Sequence, residues 1–228
     1  MLIDHFGAVM LQSMQSMLDE PWLYAEIYAL TRGIGRIAFP IFAYLIAQGC
    51  VHTKDIRKYL LRLGLLAIIS EPFFDMAFWG GNINFLANTN IFYTLFLGAA
   101  AIASYEKSKK IFANRYSDIL SLIVVIPAML IAWWLSTDYA HIGVGLIFFI
   151  YILQPESCMG RCIAVIAGVF ALYFSNLNLL IYSLVAVGLI VLHNGKLGTN
   201  NAAIKWGFYF FYPAHIAVLI VARIIFLQ

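Results

Sequence analysis

Long apolar runs separated by short polar clusters dominate the chain. A helix needs about 20 apolar residues to cross a ~30 Å hydrocarbon core. Runs of that kind fall near residues 1–18, 33–50, 60–79, 88–104, 117–135, 139–153, 162–175, 179–192 and 206–227. The seventh and eighth are short. Taken as one, 162–192 is too long for a comfortable crossing, and the turn-like "SNLN" at Ser175–Asn178 predicts a hairpin there instead. The pattern therefore predicts an all-α bundle of nine membrane-spanning helices. With no internal repeat, low-complexity tract or long linker, residues 1–228 form one domain.

The distribution of charge orients the bundle. With the N-terminus inside, the inner loops hold Lys54, Arg57, Lys58 and Arg62, then Lys107, Lys109, Lys110 and Arg115, then Arg161, and finally Lys196 and Lys205. Of the fourteen Lys and Arg residues, only Arg32, Arg36 and Arg223 fall elsewhere. Merging spans seven and eight would put Lys196 and Lys205 outside, against the excess of basic residues in cytoplasmic loops. Nine spans, N-in and C-out, in a bacterial cytoplasmic membrane is the topology expected. "DEPWLYAEIYAL" (Asp19–Leu30) is acidic and aromatic, as suits an outer interface. "KDIRKYLLRLGLL" (Lys54–Leu66) alternates basic and apolar and is expected to enter span three along the cytoplasmic surface.

Composition closes off other classes. Hydrophobic residues make up 63% of the chain and charged residues 11%, against roughly 45–50% and ~25% in soluble domains. Membrane topology accounts for the basic loops, so no nucleic-acid partner is expected. Cys50, Cys158 and Cys162 are too few for a disulfide framework. They lack the neighbouring ligands of a metal site and read as apolar fillers, so no metal is expected.

Against so apolar a background the ionisable and amide side chains inside spans stand out, because each is costly there. Arg36, Pro40, Tyr44 and Gln48 recur every four residues and share a helix face, as do Glu71 and Asp75 around Pro72. Asn90, Thr94 and Gly98 make a polar, small stripe, and His215 follows Pro213 in the last span. Asp4 and His5 adjoin near the start. Arg36 could neutralise Glu71 or Asp4 as a structural pair, and Asn90 and Thr94 could simply join helices. Each proline frees backbone carbonyls that could line a cavity. There is no nucleophile elbow, phosphate loop or metal-ligand cluster. A histidine beside a carboxylate, an intramembrane arginine and amide donors suit acyl transfer, with the histidine as base and the donors on the oxyanion. They suit a proton-coupled transporter equally well, so these residues alone leave two classes open.

The order of motifs is more specific. "IDHFG" (Ile3–Gly7), "GRIAFPIFAYLIAQG" (Gly35–Gly49) with His52–Thr53, and "SEPFFDMAF" (Ser70–Phe78) come first. "NIFYTLFLG" (Asn90–Gly98), "TDYAHIGVGLI" (Thr137–Ile147), "NGKLG" (Asn194–Gly198) and "FYPAHIAVL" (Phe211–Leu219) follow. In that order, nearly end to end, the chain resembles the TraX family of membrane proteins, whose conjugation-plasmid members acetylate the N-terminus of the F-type pilin. The resemblance implies an integral-membrane acyltransferase taking acetyl groups from acetyl-CoA, with a pilin or another envelope amine or hydroxyl as acceptor. On that activity the residues point to His5 as general base with Asp4 orienting it or holding its charge, and to Arg36 polarising the thioester or pairing with an acid between reactions. Glu71 belongs with this catalytic set, and His215 is a second base candidate. Tyr44, Gln48, Asp75, Asn90, Thr94 and Asp138 would line the cavity, and Lys54, Arg57, Lys58, Lys196 and Lys205 would meet the donor's phosphates. The runner-up is a non-enzymatic transporter or conjugation-assembly component. Family members usually carry several more residues before the Asp-His pair. Here Met1–Leu18 would give ~27 Å of helix, barely enough to cross.

Overall fold

The computed structural model describes residues 1–14, 20–112, 117–153, 158–193 and 201–227, and these are helical apart from turns and short loops. In order the helices are α1 (Leu2–Phe6), a π-helical turn (Gly7–Leu11) and α2 (Gln12–Met14), then α3 (Pro21–Arg36), α4 (Ala38–His52), α5 (Ile56–Phe78) and α6 (Ile91–Phe112). They continue as α7 (Ser117–Ile123), α8 (Ile126–Trp134), α9 (Ala140–Leu153), α10 (Cys158–Tyr173), α11 (Leu177–Leu192) and α12 (Ala202–Leu227). Over their described residues the expected apolar segments fall mainly on helix. Lys196, Arg115 and the Asn194–Gly198 motif lie outside the described residues, as does the side chain of Lys205.

Two helices among the described residues are long and apolar enough to cross a membrane, Pro21–His52 and Trp206–Phe226. The first corrects the sequence reading. The acidic, aromatic stretch expected as an outer loop is helical from Pro21 and runs through α3 into α4, giving 32 residues with one turn at Ile37. The reason lies in Pro40, which has no N–H to offer Arg36 O four residues back. That carbonyl instead accepts a hydrogen bond from Ser183 Oγ of α11 at 3.4 Å. The basic stretch after Lys54 is likewise one unbroken helix. Asp55 caps it, accepting from the backbone N–H of Arg57 and Lys58 at 3.1 Å each. These bonds, led by that of Lys58, together with the Lys58 charge, hold the Asp55 carboxyl below the usual carboxylate range.

α6 and α9 form the centre. α6 packs on α4, α5, α8 and α9, and α9 packs on α4, α8 and α10 as well. Small residues permit the close approach: a methyl at Gly98 would overlap Ile147, and one at Gly168 would overlap Leu146. The same device seats α1 on α3, where a Cβ at Gly7 would strike Thr31 and one at Gly35 would strike Asp4. The exterior is apolar, with Trp133, Trp134, Leu192, Phe208, Val218 and Phe226 exposed. The interior holds polar side chains that include Ser70, Glu71, Asp75, Asn90, Thr94 and Ser183. That distribution suits a hydrocarbon surrounding.

Candidate active site

The π-helical turn and the crossing on α3 carry His5 into the interior, where it meets His215 of α12. His5 Nδ1 and His215 Nε2 are 2.7 Å apart, with the rings nearly parallel. The tautomers follow from the next contact. His215 Nδ1 lies 2.6 Å from Phe211 O, a carbonyl that can only accept, so Nδ1 carries the proton. In the neutral pair His215 Nε2 is then a lone pair, and His5 Nδ1 must donate to it. His5 Nε2 is left with a lone pair and no hydrogen-bond partner among the described residues. Phe78 and Tyr212 stand edge-on to the His5 ring and wall it off. Of the two sequence candidates, His5 is the one whose Nε2 lone pair is left over, while both nitrogens of His215 are engaged, one with His5 and one with Phe211 O.

Asp4 does not orient His5. Successive helix residues point ~100° apart, and Asp4 turns to α3, where Arg32 Nη1 donates to its Oδ1 at 2.6 Å. Arg32, one helical turn before Arg36, is the partner that the sequence reading missed.

Arg36 also departs from expectation. Its predicted partner, Glu71, is taken by Asn90, whose backbone N–H donates to Glu71 Oε2 at 3.0 Å and whose side-chain amide donates to the same oxygen. The Asn90 amide also donates to Ala67 O at 2.8 Å. Glu71 and Asn90 thus fasten the start of α6 to α5. Arg36 instead donates from Nη1 to the Tyr139 hydroxyl at 3.1 Å. The carboxylates of Asp4 and Asp138 act on it from further off, because the ion pairs among the described residues are Arg32–Asp4 and Lys58–Asp55. Tyr139 lies within a quoted motif but carried no separate signal.

Thr94, Asp75, Tyr44 and Gln48 make contacts of their own away from the histidine pair. Thr94 Oγ1 bonds Asp138 O and lies 2.9 Å from Thr137 Oγ1, anchoring the turn before α9. Asp75 Oδ2 accepts from Asn84 N at 2.7 Å and holds the loop after α5. Tyr44 and Gln48 belong to a second polar cluster, about 12–18 Å along the helix from Arg36. There Gln48 and Arg161 donate to the Tyr44 hydroxyl at 3.0 and 3.1 Å, and His193 lies 3.1 Å from it. His52 extends the cluster through Gln48 Oε1. A cleft of about 260 Å³ is walled by Ala8, Val9, Gln12, Ser13, Ala77, Phe78, Gly80 and Arg223, none of them predicted, and Phe78 stands between it and the His5 ring. Arg223 donates to Met76 O and Ala77 O, closing the C-terminal end of α5.

Of the predicted phosphate contacts, the described Lys54, Arg57 and Lys58 sit at the other end of the bundle. Arg57 and Phe78 are separated by the length of α5, about 30 Å, and His5 packs against Phe78. Lys54, Arg57 and Lys58 are exposed at the Asp55 end.

The model of the family described as TraX protein matches residues 1–223. The chain belongs to the TraX family. Among curated relatives, the "Probable fimbrial assembly protein FimC, serogroup H1" of Dichelobacter nodosus is 25% identical over 253 residues. That alignment covers 100% of this chain and 92% of the relative. No solved structure matches the chain. The TraX match takes in both histidines, Arg32, Arg36 and Tyr139, so the whole candidate site falls within the family region.

Proposed function

We propose that this TraX-family chain is an integral-membrane acyltransferase that moves an acetyl group from acetyl-CoA to an amine or hydroxyl. The acceptor is a pilin or another envelope protein, in keeping with the family and with the fimbrial assembly named for its relative. The observation that carries the reading is the oriented His5–His215 pair, which leaves the lone pair of His5 Nε2 unencumbered and able to act as a base. In the reaction the acceptor nitrogen attacks the thioester carbonyl carbon while His5 Nε2 takes its proton. The imidazolium is supported by His215 through the Nδ1–H bond. The carbon–sulfur bond then breaks, and the departing CoA thiolate receives the proton from His5. Full-length protein in detergent, given radiolabelled acetyl-CoA and a peptide bearing a free N-terminal amine, should release CoA and label the peptide. The relative's name also favours a second reading, a non-enzymatic assembly component. That protein would consume no acetyl-CoA in the same assay.

The reading carries a nine-span arrangement in the cytoplasmic membrane with the basic loops inside and the C-terminus out, in keeping with the placement of basic residues and the apolar exterior. Lys109→Cys and Gly198→Cys, made in a background without the native cysteines, should resist an impermeant thiol reagent in intact cells. Labelling of either from outside would refute the arrangement.

A further inference from the structure

We propose that Arg36, Tyr139 and Tyr173 form the pocket that receives the carbonyl oxygen of the acyl group and holds its negative charge as the acceptor attacks. The assignment rests on the acyl-transfer reading but on different atoms. Arg36 Nε is buried without a hydrogen-bond partner, and so is the Tyr173 hydroxyl, on a side chain only 7% exposed. Tyr173 lies beside both Arg36 and Tyr139 without a well-formed hydrogen bond to either. The Tyr139 hydroxyl accepts from Arg36 Nη1, which leaves its own O–H to donate. A polar group taken out of water without a partner is costly. Here Arg36 Nε and the Tyr173 hydroxyl, on α3 and α10, bear that cost beside the Tyr139 hydroxyl in the turn before α9. One ligand oxygen would satisfy them together.

The backbone that presents Tyr139 is itself unusual. Ser136, Tyr139 and Ala140 all have positive φ, a conformation that L side chains rarely adopt. Thr94 holds the turn through Asp138 O, and Asp138 N donates to Thr89 O at 2.9 Å. Its result is a Tyr139 ring stacked on Phe39, 3.7 Å between centroids, with its hydroxyl on Arg36. Strained backbone held by its surroundings is a recurrent feature of ligand-contacting sites.

The charges suit an oxygen that is neutral at first. The carboxylates of Asp4 and Asp138 already act on Arg36, and Arg32 is paired with Asp4. The pocket is thus balanced at rest, a poorer host for a permanent anion than for a carbonyl that gains charge only during attack. When the acceptor nitrogen bonds to the carbonyl carbon, the C=O π electrons move to oxygen and are met by the three donors. Collapse returns them, re-forming C=O and expelling the thiolate. Donors that bind the transition state better than the ground state accelerate the step.

Tyr173→Phe tests this, with Tyr139→Phe as a second variant. Both remove one oxygen and keep the ring. Losing an unpartnered buried hydroxyl should leave the melting temperature of Tyr173→Phe unchanged or raised. Turnover should still fall about 10²-fold, with the KM for acetyl-CoA unchanged. In the infrared, the thioester stretch of carbonyl-13C acetyl-CoA should be lowered on binding wild-type protein and return toward its free value in Tyr173→Phe. A variant with turnover within about threefold of wild type and the wild-type stretch overturns the pocket while leaving acyl transfer standing. A lowered stretch in wild type, lost in Tyr173→Phe, with no transfer to any amine keeps the pocket and removes the reaction. A wild-type protein that does not bind acetyl-CoA removes both.

Discussion

Replacing His5 by alanine should abolish acetyl transfer while leaving a monodisperse protein that still binds acetyl-CoA. The ring is buried between Phe78, Tyr212 and His215, so its loss leaves a gap, but it carries no ion pair whose partner would be stranded. His5→Gln separates the two roles of the ring, because glutamine can hydrogen-bond to His215 but cannot take a proton. A general base is worth about 10²-fold or more. Either variant retaining more than about a tenth of wild-type turnover would therefore mean that His5 is not the base. His215 should behave differently. His215→Gln keeps an acceptor for His5 Nδ1–H and should recover activity lost in His215→Ala. If the glutamine is as inactive as the alanine, His215 takes part in the chemistry directly.

Gly35→Ala should be the most damaging single-methyl addition near the site. Its Cβ would overlap the Cβ and Cγ of Asp4 and sit 2.6 Å from Asp4 Oδ1, the same oxygen that accepts from Arg32. Either α1 lifts from α3 or the carboxylate swings away and its ion pair is lost. Overpacking of this kind costs about 2–3 kcal/mol, visible as a lower denaturation midpoint in detergent. The site should suffer too, because His5 follows Asp4 on the displaced helix. Asp4→Gly removes the obstruction, so the double variant should be no less stable than Asp4→Gly alone. Simple additivity of the two losses would show that the glycine and the aspartate do not meet.

Much of this was legible in the sequence. Apolar length located the helical segments, because nothing else satisfies the backbone in so apolar a chain. His5, His215 and Arg36 stood out because an ionisable group in such surroundings has few innocent explanations. Partners were another matter. His5 and His215 are 210 residues apart, and periodicity within one helix carries no information about which helix lies opposite. Glu71 looked available to Arg36 because the claim of Asn90 on it depends on how α6 starts beside α5. Arg32 fell between the acidic, aromatic stretch and the span expected from residue 33, yet the helix runs unbroken through it from Pro21. Tyr173 gave no signal at all, since a tyrosine in an apolar span is ordinary until its hydroxyl is found without a partner.

Pro40 has a mechanical meaning. The long helix carries Arg36 near its middle and the Tyr44–Gln48–His52 ladder toward its end, and the proline between them removes the backbone bond that would brace the joint. What spans the joint is Ser183 on Arg36 O at 3.4 Å, a long contact supplied by another helix. The two polar ends therefore meet at a joint that α11 braces from outside. The seating of α11 through Ser183 helps to set how Arg36 faces Tyr139, while the ladder is held separately by Arg161 and His193.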